Sequence, residues 1–308
     1  MALLFVSPVD DPEAWRQALA RELPELDFRV YPEIGDPADI EVALVWQPPP
    51  GLLAQLPNLR LIQALSAGVD GLLADPTLPP VPLCRMVDES LTRTMAEYVL
   101  AQALFYHRDL DLFEEQQRRA EWRFRMPRPA AERTVGVMGL GAVGSAVART
   151  LADAGFRVCG YSRSRHRIEG VETFAGSAER DAFLRKSEVL VCLLPLTAET
   201  RGILDRRLFS TLPAGAVLVH VGRGPQLVES DLLAMLACGQ LRGAVLDVFA
   251  TEPLPSDHPF WRHPRIRITP HVAGYSLPAT GAAVVAANIR RLRDGRPLLH
   301  LVQRERGY

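Results

Sequence analysis

The chain has 308 residues, about two domains of ordinary size, and at 48% hydrophobic and 23% charged it is no disordered or fibrous polymer. Lys+Arg at 35 against Asp+Glu at 36 leaves a net charge of −1. No excess positive field is present to attract phosphates, so neither nucleic acid nor a membrane surface is an expected partner.

In chain order, Ala2–Ser7 reads as a first strand and not a signal peptide, because no basic residues precede it and Pro8 and Asp10 end its apolar run. Asp11–Leu23, with Pro12 near its start, reads as a helix, and Val42–Trp46 and Leu61–Ala64 as short buried strands. The stretches 42–59 and 269–289 carry few charges, but four prolines interrupt the first, and Pro270, His271, Gly274, Pro278 and Asn288 the second. Neither would keep its backbone satisfied in lipid. From Asp88 to about Arg119 there is no Pro or Gly, and Leu91, Met95, Val99, Leu100, Ala103 and Leu104 recur at helical spacing. One long helix is predicted there, ending in the basic and aromatic segment Arg118–Arg128.

Regular alternation follows. Strands are predicted at 134–139, 157–161, 188–194, 216–221, 242–248 and 265–269, and helices at 142–154, 177–185, 205–212, 229–238 and 279–293. Such alternation argues a parallel α/β architecture whose central strands are buried on both faces. Cys84, Cys159, Cys192 and Cys238 form no CxxC pair and read as small buried hydrophobes of a reducing compartment, hence a cytoplasmic location. Lys186 is the only lysine, so any mechanism that needs one must use it.

Gly139-Leu140-Gly141-Ala142-Val143-Gly144 is a G-x-G-x-x-G turn with an apolar strand before it and an amphipathic helix after it. Gly139 suits the tight turn, Gly141 close approach to a pyrophosphate, and Gly144 close helix–strand packing. An NAD site would place an acid at the end of the next strand; here stand Ser162, Arg163, Ser164 and Arg165. Hydroxyl and guanidinium groups suit a 2′-phosphate, so NADP(H) is expected over NAD(H).

Three later strand ends carry polar groups: Arg223 between Gly222 and Gly224, Asp247 with Glu252, and His271. Reduction of a 2-oxo acid needs a fork for the carboxylate and a proton donor at the carbonyl oxygen. Arg223 suits the first task and His271 the second, with Glu252 to orient the imidazole.

With these residues in hand, the chain resembles the D-isomer-specific 2-hydroxyacid dehydrogenases. The stretches that carry the resemblance are VGVMGLGAVG (135–144), YSRSR (161–165), VLVCLLPLTAETRGIL (189–204), VGRGPQLVESDLL (221–233), LDVFATEPLP (246–255), HPFW (258–261) and TPHVAG (269–274). The resemblance runs from about Leu61 onward and leans to the branch that reduces glyoxylate and hydroxypyruvate. It implies two Rossmann-like doubly wound parallel-sheet domains, the first discontinuous and flavodoxin-like. Residues 1–98 plus 273–308 would bind substrate and 99–272 the dinucleotide.

It also implies a small-molecule 2-oxo or 2-hydroxy acid as partner and a homodimer, with Arg223 on the substrate carboxylate and Glu252 paired to His271 as acid and base. Backbone N–H groups of Ala67, Gly68 and Val69 would face the substrate, with Trp46 walling its side. Gly139, Gly141, Ala142, Val143, Gly144, Leu194, Pro195, Asp247 and Gly274 would line the cofactor, Asp247 and the loop after His271 holding the nicotinamide amide. One departure is His220, where the family pattern has Asn; two residues before Gly222, it is expected to point into the sheet. Phosphoglycerate-, formate- or lactate-type activity, or a cofactor-sensing binding protein of the same fold, stay open as alternatives. β-Hydroxyacid dehydrogenases depend on a lysine, and Lys186 lies in a charged segment that does not suit that role.

Overall fold

Successive strand side chains point to opposite faces, so a strand covered on both sides must be apolar throughout, and β1 (Ala2–Val6) is. The computed structural model describes residues 1–308. In it Ala2, Leu4 and Val6 enter one buried cluster, and Leu3 and Phe5 the other. The first compact unit, Met1–Leu91 with Tyr275–Tyr308, is built on β1, β2 (Asp27–Val30), β3 (Ile40–Val45), β4 (Leu61–Ala64) and β5 (Leu83–Cys84). They are parallel in the order β2-β1-β3-β4-β5, the flavodoxin-like order. Helices α1 (Pro12–Glu22) and α2 (Asp70–Leu73) belong to this unit, and α3 (Glu89–His107) starts in it.

The second unit, Thr92–Gly274, takes up the rest of α3 and then α4 (Leu110–Arg118). Its strands are β6 (Thr134–Met138), β7 (Arg157–Ser162), β8 (Val171–Ala175), β9 (Val189–Cys192), β10 (Ala216–His220), β11 (Leu241–Leu246) and β12 (Ile266–Ile268). Between them run α5 (Ala142–Asp153), α6 (Gly176–Lys186), α7 (Arg206–Thr211) and α8 (Glu229–Ala237). The seven parallel strands lie in the order β12-β11-β10-β9-β6-β7-β8, so the chain reverses direction across the sheet between β6 and β9. That is the doubly wound switch point, outside which ligands bind. Valines 135, 137, 189, 191, 217, 219 and 245 form one face, and Met138, Leu190, Cys192, Leu218 and Leu246 the other. Helix α9 (Pro278–Arg293) returns the chain to the first unit.

The divisions fall at 91/92 and 274/275, where the sequence suggests 98/99 and 272/273. A buried knot of side chains ties the two chain segments of the first unit together beside these divisions. Ser90 and Ser276 donate to Asp88 at 2.6 and 2.7 Å, Thr280 also bonds Asp88, and the Leu277 N–H bonds Ser90 at 2.8 Å.

Two expectations need correcting. The long helix is broken at Asp109, which takes a left-handed backbone (φ 56°) while its carboxylate receives Arg125 at 3.1 Å and Arg242 at 2.7 Å. Short polar side chains tolerate that conformation, so no Gly or Pro was needed for the break. Cys238, at the end of α8, is exposed; the other three cysteines are buried free thiols, and Cys192 is pushed up to about 12 by burial. No helix is long and apolar enough to cross a membrane.

Candidate active site

Register decides where the second unit's functional loops begin. Met138 pairs with Cys192, Cys192 with His220, His220 with Leu246, and Leu246 with Ile268. These five residues form one row, and the chain leaves the sheet just beyond it at Gly139, Leu193, Val221, Asp247 and Thr269. Loops distant in sequence therefore gather at the carboxyl ends of adjacent strands.

Gly139 has φ 104°, and a Cβ there would lie 2.7 Å from the Leu193 carbonyl oxygen. A Cβ on Gly144 would lie 1.8 Å from the Gly139 oxygen, whereas one on Gly141 would meet nothing within 4 Å. The turn is thus tight behind and open in front. The N–H groups of Ala142, Val143 and Gly144 start α5, where the first turn of a helix leaves donors for an anion. The residues present fit a pyrophosphate.

At the end of β7 the basic loop divides its work. Arg163 and Ser164 are exposed, whereas Ser162 is 8% exposed and donates to the Ser164 carbonyl at 2.6 Å. Arg165 is diverted, against expectation: it donates to the Thr173 carbonyl at 2.9 Å and pairs with Glu179, whose other oxygen accepts the Ala175 N–H. Arg163 and Ser164 are the groups that fit a 2′-phosphate.

Arg223, Glu252 and His271 stand at the ends of β10, β11 and β12. The Glu252 Oε1 accepts the Phe249 N–H at 2.8 Å, and Oε2 receives the His271 Nδ1–H at 2.8 Å. Burial opposes ionisation of Glu252, but these two hydrogen bonds and the His271 and Arg223 charges outweigh it and hold its carboxyl below the ordinary range. All three groups therefore act within one electrostatic neighbourhood. With Nδ1 bound to a carboxylate, the imidazole is fixed in orientation.

His271 itself has φ 56°, unusual for a residue with a Cβ and a mark of local strain. Its N–H bonds the Asp247 and Thr269 carbonyls at 2.9 and 3.1 Å. Below it, the Asp247 carboxylate accepts Thr269 Oγ1 at 2.6 Å and the Val272 and Ala273 N–H groups at 2.9 Å each, and Tyr98 reaches Thr269 at 2.6 Å. Asp247 is 1% exposed, and its carboxylate holds the His271 loop from beneath. Burial raises its carboxyl above the ordinary range despite those bonds.

The glycines beside Arg223 permit close backbone and side-chain approach. A Cβ on Gly224 would lie 1.8 Å from the Phe249 carbonyl carbon, and one on Gly222 2.3 Å from Gln226 Oε1. They let the turn lie against the Glu252 loop and the Gln226 amide. His220 is fully buried and points its Nε2 at the Arg223 carbonyl, 3.0 Å away. Leu194 and Pro195 are half-buried, their carbonyls accepting the Gln226 Nε2 at 3.0 Å each; Gly274 is the last residue of the unit. Gln226 and Thr269 lie within stretches that carry the resemblance, but nothing in the sequence marked their hydrogen-bonding roles.

In the first unit, Ser66 Oγ donates to the Gly68 carbonyl at 2.6 Å, and Val69 is buried beneath the loop. The N–H groups of Ala67, Gly68 and Val69 donate to no other atom of the chain, which fits recognition of a small anion. Trp46 follows β3, half-buried, and packs against the cluster that holds Leu44 and Phe5.

Residues 100–273 match the family model described as D-isomer specific 2-hydroxyacid dehydrogenase, NAD binding domain. Over the full length of both proteins the chain is 43% identical to glyoxylate/hydroxypyruvate reductase A of Serratia proteamaculans. Its fold is similar to a D-isomer specific 2-hydroxyacid dehydrogenase of Xanthobacter autotrophicus solved with NADPH and MES (TM-score 0.97, 43% identity, covering 100% of this chain and 99% of that one). It is also similar to an NADPH-dependent glyoxylate/hydroxypyruvate reductase of Sinorhizobium meliloti solved with NADP and sulfate (TM-score 0.93, 40% identity, 100% of both chains).

Proposed function

The chain belongs to the D-isomer-specific 2-hydroxyacid dehydrogenases, and from that premise we propose that it is an NADPH-dependent reductase of small 2-oxo acids, glyoxylate and hydroxypyruvate among them. When bound, the dinucleotide supplies a hydride equivalent to the carbonyl carbon. The protein's part is to bind, orient and protonate.

Arg223 holds the substrate carboxylate by its guanidinium fork. Within the first unit, Trp46 and the N–H groups of Ala67, Gly68 and Val69 suit a small carboxylate. His271 gives the proton to the carbonyl oxygen and takes it back in the reverse direction. Glu252 keeps the imidazole oriented and opposes the positive charge it carries before transfer. Gly139, Gly141, Ala142, Val143 and Gly144 take the pyrophosphate, Leu194, Pro195 and Gly274 border the ring, and Arg163 and Ser164 take the 2′-phosphate. The observation that carries the reading is the 2.8 Å bond from His271 to Glu252, whose carboxyl also feels the Arg223 charge, at the same end of the sheet as the phosphate turn.

Steady-state assays with glyoxylate and hydroxypyruvate, first with NADPH and then with NADH, test it. Turnover with a higher kcat/KM for NADPH is expected; no turnover of any 2-oxo acid would replace the reading with that of a cofactor-sensing protein. We also propose a cytoplasmic homodimer. Buried unpaired thiols suit a reducing compartment, and Trp122, Phe124 and Met126, exposed at 101%, 80% and 78% on the segment after α4, suit a subunit contact. Light scattering that gave one chain's mass, 34.0 kDa, would overturn the dimer.

A further inference from the structure

Two buried polar side chains grip the peptide unit of Arg223 from opposite sides. The His220 Nε2 lies 3.0 Å from the Arg223 carbonyl oxygen, and the Gln226 Oε1 accepts the Arg223 N–H at 2.8 Å. Both side chains are 0% exposed. A carbonyl can only accept, so the imidazole is the Nε2–H tautomer, and burial keeps it neutral by lowering its pKa to about 4. Its Nδ1 has no partner within the chain.

The grip extends in two directions. Toward the side chain, Arg223 Nη1 donates to the Gly222 carbonyl at 2.8 Å, so the guanidinium is anchored on the same held turn. Across the sheet, Gln226 Nε2 donates to the Leu194 and Pro195 carbonyls at 3.0 Å each, and a Cβ on Gly222 would displace that amide. We infer that His220 and Gln226 are positioning residues for Arg223, and that Gln226 also ties the carboxylate clamp to the Leu194-Pro195 segment on the cofactor side. The inference rests on the assignment of Arg223 to the substrate carboxylate. Neither residue touches substrate; each acts through the arginine.

The test compares His220→Leu, which removes the donor at similar bulk, with His220→Gln, whose amide nitrogen reaches about as far as Nε2, and with Gln226→Met. Readouts are kcat, KM for glyoxylate, KM for NADPH, oxalate affinity of the NADPH-loaded enzyme, and the thermal midpoint. His220→Leu should raise KM for glyoxylate and weaken oxalate by about tenfold while leaving KM for NADPH in place, and His220→Gln should recover most of that loss. Gln226→Met should raise both KM values.

Equal impairment in His220→Leu and His220→Gln, with both KM values moving in step with the midpoint, would reduce His220 to a structural residue and overturn the inference. So would unaltered glyoxylate and oxalate binding in His220→Leu. Should that variant not fold, Gln226→Met decides: both KM values raised at an unchanged thermal midpoint support the inference, and KM values that are unaltered or move only in step with the midpoint overturn it. Arg223→Ala separates the two readings: if it leaves glyoxylate turnover intact, the assignment of Arg223 fails. If it abolishes turnover while His220→Leu and Gln226→Met behave as wild type, only the positioning inference fails.

Discussion

The glycine turn and the proposed reacting cluster lie at the same end of one sheet but are made in opposite ways. Residues 139–144 are contiguous and act by backbone, shaped by what glycine lacks: no Cβ fits at 144, and none obstructs at 141. Arg223, Glu252 and His271 are spread over 49 residues and act by side chain, each oriented by a neighbour that does no chemistry. His220 and Gln226 hold the turn of Arg223, Asp247 holds the loop of His271, and Phe249 steadies Glu252. Binding can be written into six consecutive letters. Proton transfer needs distant segments brought into register, and some strain at His271 to present the ring.

Substitutions that strike one region and spare the other sharpen this contrast. The largest effect is expected from His271→Gln: kcat should fall roughly 10²–10⁴-fold with NADPH affinity unchanged, read by single-turnover kinetics and a binding titration. A loss of only a few-fold would assign the acid elsewhere. Gly144→Ala should do the reverse. Its Cβ would drive into the Gly139 carbonyl at a cost of about 1–3 kcal/mol, weakening NADPH by roughly 10–100-fold while kcat at saturation stays within a few-fold. Arg163→Ala should cost about tenfold in kcat/KM for NADPH and nothing for NADH; equal losses with both cofactors would remove it from the 2′-phosphate.

The smallest effect concerns stability. Glu252 has a lowered folded-state pKa, so its contribution is present above its unfolded value of about 4.5 and is lost as pH falls through the folded value. Urea midpoints below about pH 4.5 should therefore fall less steeply with pH in Glu252→Gln than in the native chain. Parallel curves would contradict the ionic pairing with His271.

Much of this was legible before any coordinates. Strands such as Val189–Cys192 and Ala216–His220 announce burial by uniform apolarity, and the turn at 139–144 by spacing. Arg223, Glu252 and His271 stand out by the chemistry that a 2-oxo acid demands, together with resemblance, and the structure bonds His271 to Glu252 at 2.8 Å. What escaped notice depends on partners far away in sequence. Asp109 breaks the predicted helix because Arg125 and Arg242 meet its carboxylate. Arg165 is drawn off by Glu179, and Asp247 is claimed by three donors from the next loop. Strand β8, Val171–Ala175, has no apolar run, being half-buried at the sheet's edge.

The most direct test of the account is a double-mutant cycle in kcat on Glu252→Gln and His271→Gln, with glyoxylate and saturating NADPH. If the carboxylate works only by orienting and charging the imidazole, the double variant should be no slower than His271→Gln alone. Losses that multiply would show two groups acting independently and contradict the pairing on which the mechanism stands.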